Sequence, residues 1–414
     1  MTKLKDSGIP WIGEIPEHWE VMRFKSKFAT RKGLSITKAD LTESGIPVVS
    51  YGQIHSKYNN GTHLSSELLR YVPLKFLKSD YYALVSKGDF IFADTSEDIV
   101  GCGNAAYVDY SDNLFAGYHS IIASGGENNK YFAYLFQTDA WRSQIRNSVT
   151  GIKVFSISQS ILSNTLLIVP PMAEQEQIAE YLDEKCGEID ELIDVEQQMI
   201  SDLESYRQAI ITEAVTHGIN PDVPTKDSNI PQIPLIPKNW VTTKIKFLSN
   251  LYSGSNITTE EITNSGYPVY GGNGLRGFYD RYNKDGEFVL IGRQGALCGN
   301  INYAYGKFWA SEHAIVCHPL IEYHLIWFGE LLRSMNLNQY SVAAAQPGLS
   351  VDKIKNLHIP VPPLAEQVEI GEYIQGKCSE IDELIKVKQE KIETLKQYRQ
   401  SLIFEAVTGK ITIA

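Results

Sequence analysis

PPMAEQEQIAEYLDEKCGEIDELIDVEQQMISDLESYRQAIITEAVT, residues 170–216, is written twice in this chain. It returns at residues 362–408 as PPLAEQVEIGEYIQGKCSEIDELIKVKQEKIETLKQYRQSLIFEAVT. More than half of the positions are identical, which marks an internal duplication and not a shared helical composition. In the first copy Ile189, Ile193, Ile200, Leu203 and Ile210 recur in steps of three, four and seven. Ile381, Ile385, Ile392, Leu395 and Leu402 do the same in the second. That spacing predicts one long helix per copy, over 170–217 and 362–409, with these residues as an apolar seam. Each copy opens at a Pro-Pro pair suited to a first turn, and acids (Glu174, Glu176, Glu366, Glu369) crowd the start, where the helix dipole favours them. Gly218 and Gly409 follow the ends. A rod of some 45 residues, roughly 65 Å at 1.5 Å per residue, cannot bury its own stripe and needs a partner. The nearest partner is its copy.

Charge indicates how the copies pair. Over residues 192–208 the first helix carries Asp194, Glu196, Asp202 and Glu204 against Arg207. Over 384–400 the second carries Lys386, Lys388, Lys391, Lys396 and Arg399 against Glu390 and Glu393. Unlike copies attract and like copies repel, which disfavours self-pairing of like helices between chains. Glu196 and Lys388 are equivalent positions near the midpoint, and an antiparallel pair brings them together. Cys186 and Cys378 also match and read as small core residues.

The net charge of −11 looks adverse to nucleic acid until it is mapped. The first repeated helix accounts for most of it, and the segments outside the two helices are near neutral. No apolar run is long enough to cross a membrane, the start MTKLKDSGIPW lacks a signal-peptide core, and five scattered cysteines form no CxxC. A cytoplasmic protein without a structural metal is expected.

The duplication extends upstream. DSGIPWIGEIPEHW at 6–19 reappears as DSNIPQIPLIPKNW at 227–240, proline-stiffened segments whose Trp19 and Trp240 read as core anchors. HGINPDVPTK, 217–226, is a linker. Between these landmarks lie two inserts, roughly 20–165 and 241–357. DFIFA at 89–93 and EFVLI at 287–291 read as strands, and segments beginning at Ala133 and Leu325 as helices. The inserts show little obvious identity with each other, as suits two readers of different targets. His119 and His313, in apolar contexts, read as core histidines.

Glycine-rich loops with Arg, Asn and Gln carry the candidate contacts, since glycine admits close approach and these side chains match base edges. YPVYGGNGLRGFYD at 267–280 offers Asn273 and Arg276, and IGRQGALCGN at 291–300 offers Arg293 and Gln294. In the first insert the comparable loops offer Tyr51, Gln53 and Lys57, then Ser96 and Glu97. Lys153 and Gln346 sit in loops just before the helices. The sequence has no GxxxxGK[ST] loop, no HExxH, no Asn-Pro-Pro-aromatic tetrapeptide and no nucleophile–base signature. No catalysis is expected from this chain alone.

Two repeated helices with PP(M/L)AEQ starts, two divergent inserts and paired DSxIPxxxxIPxxW segments resemble the specificity subunit of Type I restriction–modification systems, over essentially the whole chain. The resemblance implies an α+β architecture with a pseudo-two-fold internal repeat. Two mixed α/β target recognition domains, 1–169 and 227–361, are separated by two helices, 170–217 and 362–409, that form an antiparallel coiled coil, with 218–226 as linker. It further implies a non-catalytic subunit that binds a bipartite site on double-stranded DNA and directs adenine methylation or restriction. Two methyltransferase subunits would bind S-adenosylmethionine, and restriction/translocase subunits would use ATP and magnesium. The specificity chain itself would hold no cofactor. Helix length would then set the gap between half-sites, so that inserting helix residues changes the spacer and not the bases. From another class, a coiled-coil scaffold with two protein-binding heads shares the same outline.

Overall fold

The computed structural model describes residues 3–110, 112–126, 128–151, 153–295, 298–341 and 348–413. The chain divides into two compact units, Met1–Val195 with Lys391–Ala414, and Glu196–Glu390. Each unit therefore takes part of both long helices, and the division falls inside the helices rather than at the expected borders 169, 217, 226 and 361. The helices span Met172–His217 and Leu364–Val407, so the Pro-Pro pairs stand before the first turn and not in it. Pro171 and Pro363 act through their carbonyls, which accept from the N–H groups of Glu174 and Gln367. Gly218 and Gly409 stop the helices at φ of 84° and 68°, a conformation that favours glycine. The linker is shorter than expected at its far end, because strand Thr225–Ile230 has already begun there.

In the first unit, Ile178, Leu182, Cys186 and Ile189 share a core with Leu402, Ile403, Ala406 and Val407. The start of one helix thus lies against the end of the other, and Asp190 Oδ1 meets Arg399 Nε at 3.0 Å. In the second unit, Ile211, Ala214 and Val215 share a core with Ile370 and Ile374. There Arg207 pairs with Asp382, and Lys388 Nζ donates to Glu196 Oε2 at 2.9 Å. Numbers rise on one helix as they fall on the other in both units, so the pairing is antiparallel in each.

Of the expected seam, Ile189, Ile200, Ile381, Ile392 and Leu402 are buried, and Ile193, Leu203, Ile210, Ile385 and Leu395 are half-buried. Next to half-buried Ile210 it is Ile211 that is buried. Steps of four and three from Ile189 also land on Glu196 and Arg207, and from Ile381 on Lys388 and Arg399. These charged side chains occupy seam positions. Polar seam residues lower stability relative to a hydrophobic isostere while specifying register and partner.

Each insert builds its sheets around a single parallel ladder among the described strands. In the first unit one four-stranded sheet has the order Arg70–Val72, Ile46–Val49, Leu114–Ala116, Leu84–Val85, with the middle pair parallel. A second has the order Ala105–Tyr107, Phe90–Ala93, Ser120–Ser124, Ala29–Lys32. Phe24, Phe28, Phe90, Phe92, Phe136 and Trp141 fill its inner side, with the Phe136 and Trp141 rings 4.3 Å apart. In the second unit a six-stranded sheet runs Ser249–Ser253, Ala314–Pro319, Lys284–Gly292, Ile301–Ala310, Tyr267–Gly271, Gly274–Tyr279. Among its described strands only Tyr267–Gly271 and Ile301–Ala310 pair in parallel.

The PPxAEQ motif has a mechanical meaning. Trp19 and Trp240, 2% and 0% exposed, donate their indole N–H to Glu174 Oε2 and Glu366 Oε1, both at 2.8 Å. The other oxygen of each carboxylate meets His18 Nε2 at 2.7 Å and Asn239 Nδ2 at 2.9 Å. The following glutamines, Gln175 and Gln367, donate to the carbonyls of Pro170 and Pro362 at 2.8 and 2.9 Å. Each tryptophan also lies against the glycine that ends the other helix, Gly409 beside Trp19 and Gly218 beside Trp240. One indole therefore fastens a helix start to a helix end within each unit.

Four of the five cysteines are buried, and burial pushes the Cys186 thiol up to about 11. Half-buried Cys378 is expected to be the first thiol alkylated by iodoacetamide in the native chain, read by peptide mass spectrometry. Faster labelling of Cys186 would contradict the packing. No helix among the described residues is long and apolar enough to cross a membrane.

Candidate nucleic-acid interface

In the first unit the parallel strands Ile46–Val49 and Leu114–Ala116 deliver two loops to one sheet end. Gly117 N–H donates to Val49 O at 2.7 Å, and Tyr51 N–H to Tyr118 O at 3.3 Å. A Cβ on Gly117 would collide with the Ser50 hydroxyl, so only glycine fits there. A third loop joins when Asp94 N–H donates to His119 O at 3.1 Å. A fourth joins where Thr95–Ser96 pairs with Phe155–Ser156. The Tyr51 ring stands 5.6 Å from Tyr118 and 5.4 Å from His119. His119 turns the chain at φ 53°, a conformation in which histidine is enriched among non-glycine residues. Its side chain is 58% exposed and pairs with Asp94 at 3.2 Å. The expectation of a core histidine fails here, because the apolar neighbours in sequence belong to the strand that follows.

A cavity of about 440 Å³ opens among these loops, lined by Tyr51, His55, Ser96, Glu97, Asn104 and Arg142. Behind it runs a hydrogen-bonded brace. Arg142 Nη1 donates to Asn104 Oδ1 at 2.7 Å, Asn104 Nδ2 meets His55 Nδ1 at 3.0 Å, and His55 Nε2 meets Thr95 O at 2.9 Å. An acceptor Nδ1 leaves the proton on Nε2, which then donates to the carbonyl. Burial draws the Arg142 guanidinium down to about 10, so it remains charged at neutral pH. Sequence reading missed Arg142 because it lies outside the candidate loops, and it passed over His55 and Asn104 within those loops because only geometry shows what they brace.

The candidates of this insert separate into two groups. Tyr51, Ser96 and Glu97 line the cavity, while Lys57 is exposed beside the Tyr58 ring at 5.0 Å and Lys153 is exposed. Gln53 and Ser96 serve the local backbone. The Gln53 side chain accepts from Ser50 N–H at 3.1 Å in a capping box, and buried Ser96 donates to Asp98 O at 2.7 Å.

The second unit brings Asn273, Arg276, Arg293 and Gln294 to the matching sheet end. The Cβ position of Gly272 lies 3.2 Å from both Gln294 O and His313 O, so the strand end, the loop at 293–294 and His313 converge. Arg293 N–H donates to His313 O at 2.8 Å, and Gln294 bridges Gly348. Asn300 Nδ2 donates to Asn273 Oδ1 at 3.2 Å, and Arg276 folds over Gly271. The His313 side chain is 38% exposed and pairs with Glu312, so it too is a surface histidine. Gln346 lies outside the described residues.

The two inserts are kin, against expectation. GLSITKADLTESGIPVV at 33–49 matches GSNITTEEITNSGYPVY at 254–270, CGNAAY at 102–107 matches CGNINY at 298–303, and AGYHS at 116–120 matches ASEHA at 310–314. The geometry repeats with the letters. Thr37 with Asp40 and Thr258 with Glu261 form the same capping box. Asn104 braces the first loop of one cluster as Asn300 braces that of the other.

A profile described as "Type I restriction modification DNA specificity domain" matches residues 16–205 and again 237–397. The chain belongs to this family. Among named specificity subunits, that of Escherichia coli EcoprrI is 44% identical over 119 residues, covering 29% of this chain and 30% of the relative. The Methanocaldococcus jannaschii MjaVIII subunit is 23% identical over 437 residues, covering 96% and 94%. The family's fold is shared with a chain from a type I R-M system solved for its complex assembly and conformational transition (TM-score 0.71, 17% identity, 96% of this chain and 99% of that one). It is shared as well with the HsdS subunit of Thermoanaerobacter tengcongensis (TM-score 0.52, 18% identity, 96% and 98%). The two profile matches in this specificity chain each take in one loop cluster with its helix start.

Proposed function

We propose that this chain is the DNA-reading subunit of a Type I restriction–modification complex, each unit reading one half of a bipartite site. One observation carries the reading. The same four-loop cluster is built twice, on the same backbone contacts, with different side chains at its face. Arg293, Gln294, Asn273 and Arg276 in one cluster, and Tyr51, Glu97, Lys57 and Lys153 in the other, supply donors and acceptors suited to base edges and phosphates.

The chain is non-catalytic in this reading. Two methyltransferase subunits bring S-adenosylmethionine and flip the adenine, and restriction/translocase subunits bring ATP and magnesium. In the second unit Met199, Tyr206, Leu384 and Val387 are exposed apolar residues on the two helix segments, and they offer those subunits a docking surface. Near-neutral inserts supply few phosphate contacts, so the chain alone binds DNA modestly and tight binding requires the assembled complex.

The test is to express the chain with its methyltransferase subunit and map methylated adenines by long-read sequencing. A motif of two short specified halves around an unspecified gap is the expected result. Methylation without sequence preference, or dependent on one half only, would sink the reading.

A further inference from the structure

One backbone position is pinned identically in both clusters and carries opposite charge. Asp94 N–H donates to His119 O at 3.1 Å, and Arg293 N–H donates to His313 O at 2.8 Å. Asp94 O accepts from Ile157 N–H at 2.7 Å, and Arg293 O accepts from Leu349 N–H at 2.9 Å. The residue before each, Ala93 or Gly292, donates to the asparagine carbonyl of the repeated CGN turn, at 3.1 and 2.8 Å. Those same residues pair with Ser120 and Ala314 in the neighbouring strand. Four contacts fix the backbone, and only the side chain differs.

The side chains are presented outward. Both residues are half-exposed. Asp94 Oδ1 accepts from Thr95 Oγ1 at 2.7 Å and meets His119 Nδ1 at 3.2 Å, which orients the carboxylate. Its Oδ2 makes no hydrogen bond among the described residues, and neither does the Arg293 guanidinium. An oriented carboxylate can only accept, and a guanidinium can only donate. In the major groove the cytosine amino group is the partner for the first, and guanine O6 with N7 is the bidentate partner for the second.

We infer that position 94/293 is a specificity-determining position, Arg293 reading a guanine in one half-site and Asp94 a cytosine amino group in the other. The inference rests on the reading of the chain as a DNA-recognition subunit.

The experiment maps adenine methylation by the complex carrying Arg293→Gln or Asp94→Asn. Arg293→Gln is expected to relax one G·C position in one half-site and leave the other half and the spacer unchanged. Asp94→Asn does the same in the opposite half. On purified complex, discrimination at that pair is expected to fall about tenfold to a hundredfold. The untouched half-site reports that the chain has folded. Should a variant methylate nothing in cells, gel shifts with duplexes altered base by base decide, and undiminished discrimination at every pair overturns the inference. An unchanged motif also overturns it. So does a uniform loss of affinity across sequences with a shallower salt dependence, the signature of a phosphate contact. If the wild-type complex methylates no two-part site, the DNA-reading proposal fails instead, before this position is in question.

Discussion

Lys388→Glu is expected to destabilise the second unit by about 3 kcal/mol, lowering its thermal midpoint by about 10 °C. Glu196 is 4% exposed and lies at a seam position, with the Lys388 ammonium 2.9 Å from its carboxylate. The substitution sets a second carboxylate where that ammonium stood. Lys388 itself is partly solvated, which keeps the figure at the low end for a broken buried pair. The exchange Glu196→Lys with Lys388→Glu restores an attractive pair and is expected to recover most of the loss. A double variant no more stable than Lys388→Glu alone would remove the pair from the account. Circular dichroism melts of the wild type and the two variants give the answer.

Trp240→Ala is expected to cost about 3–5 kcal/mol, and Trp19→Ala a similar amount in the first unit. Each change empties a fully enclosed indole site and strands a carboxylate, Glu366 or Glu174, that had its N–H at 2.8 Å. Each also loosens a helix start from a helix end. Trp240→Phe keeps most of the volume and loses the N–H, so it separates the two contributions and is expected to cost about 1–2 kcal/mol. Denaturant titration followed by tryptophan fluorescence and by far-ultraviolet dichroism measures both. A Trp240→Ala variant within 1 kcal/mol of wild type, on the order of a surface substitution, would show that the indole is not the fastener.

The helices and their pairing were legible because period and charge survive duplication. Ile189 and Ile381, or Glu196 and Lys388, can be matched by eye at one constant offset. Arg207 and Arg399 were overlooked as seam residues because a search for apolar periodicity passes over charge, although the heptad steps land on both. The kinship of the inserts was hidden for a different reason. The first insert spends residues 53–87 where the second has the hairpin strand Gly274–Tyr279, so the offset between CGNAAY and CGNINY differs from that between the segments before them. Three short matches at three offsets look like chance until the strand pairings align them. Gln53 and Ser96 illustrate the limit on site residues. A side chain able to read a base is equally able to cap its own backbone, and only geometry tells which it does.

The first unit is assembled from both ends of the chain, and that has a consequence for biosynthesis. Tyr131, deep in the amino-terminal insert, donates its hydroxyl proton to the carbonyl of Val407 at 2.8 Å. The second unit, residues 196–390, is contiguous. The earlier half must wait through the synthesis of all of it before its own last two dozen residues exist, a delay on the order of ten seconds or more at ordinary elongation rates. An amino-terminal half does not close first here, and its phenylalanines stay unshielded meanwhile, the kind of surface a chaperone would hold.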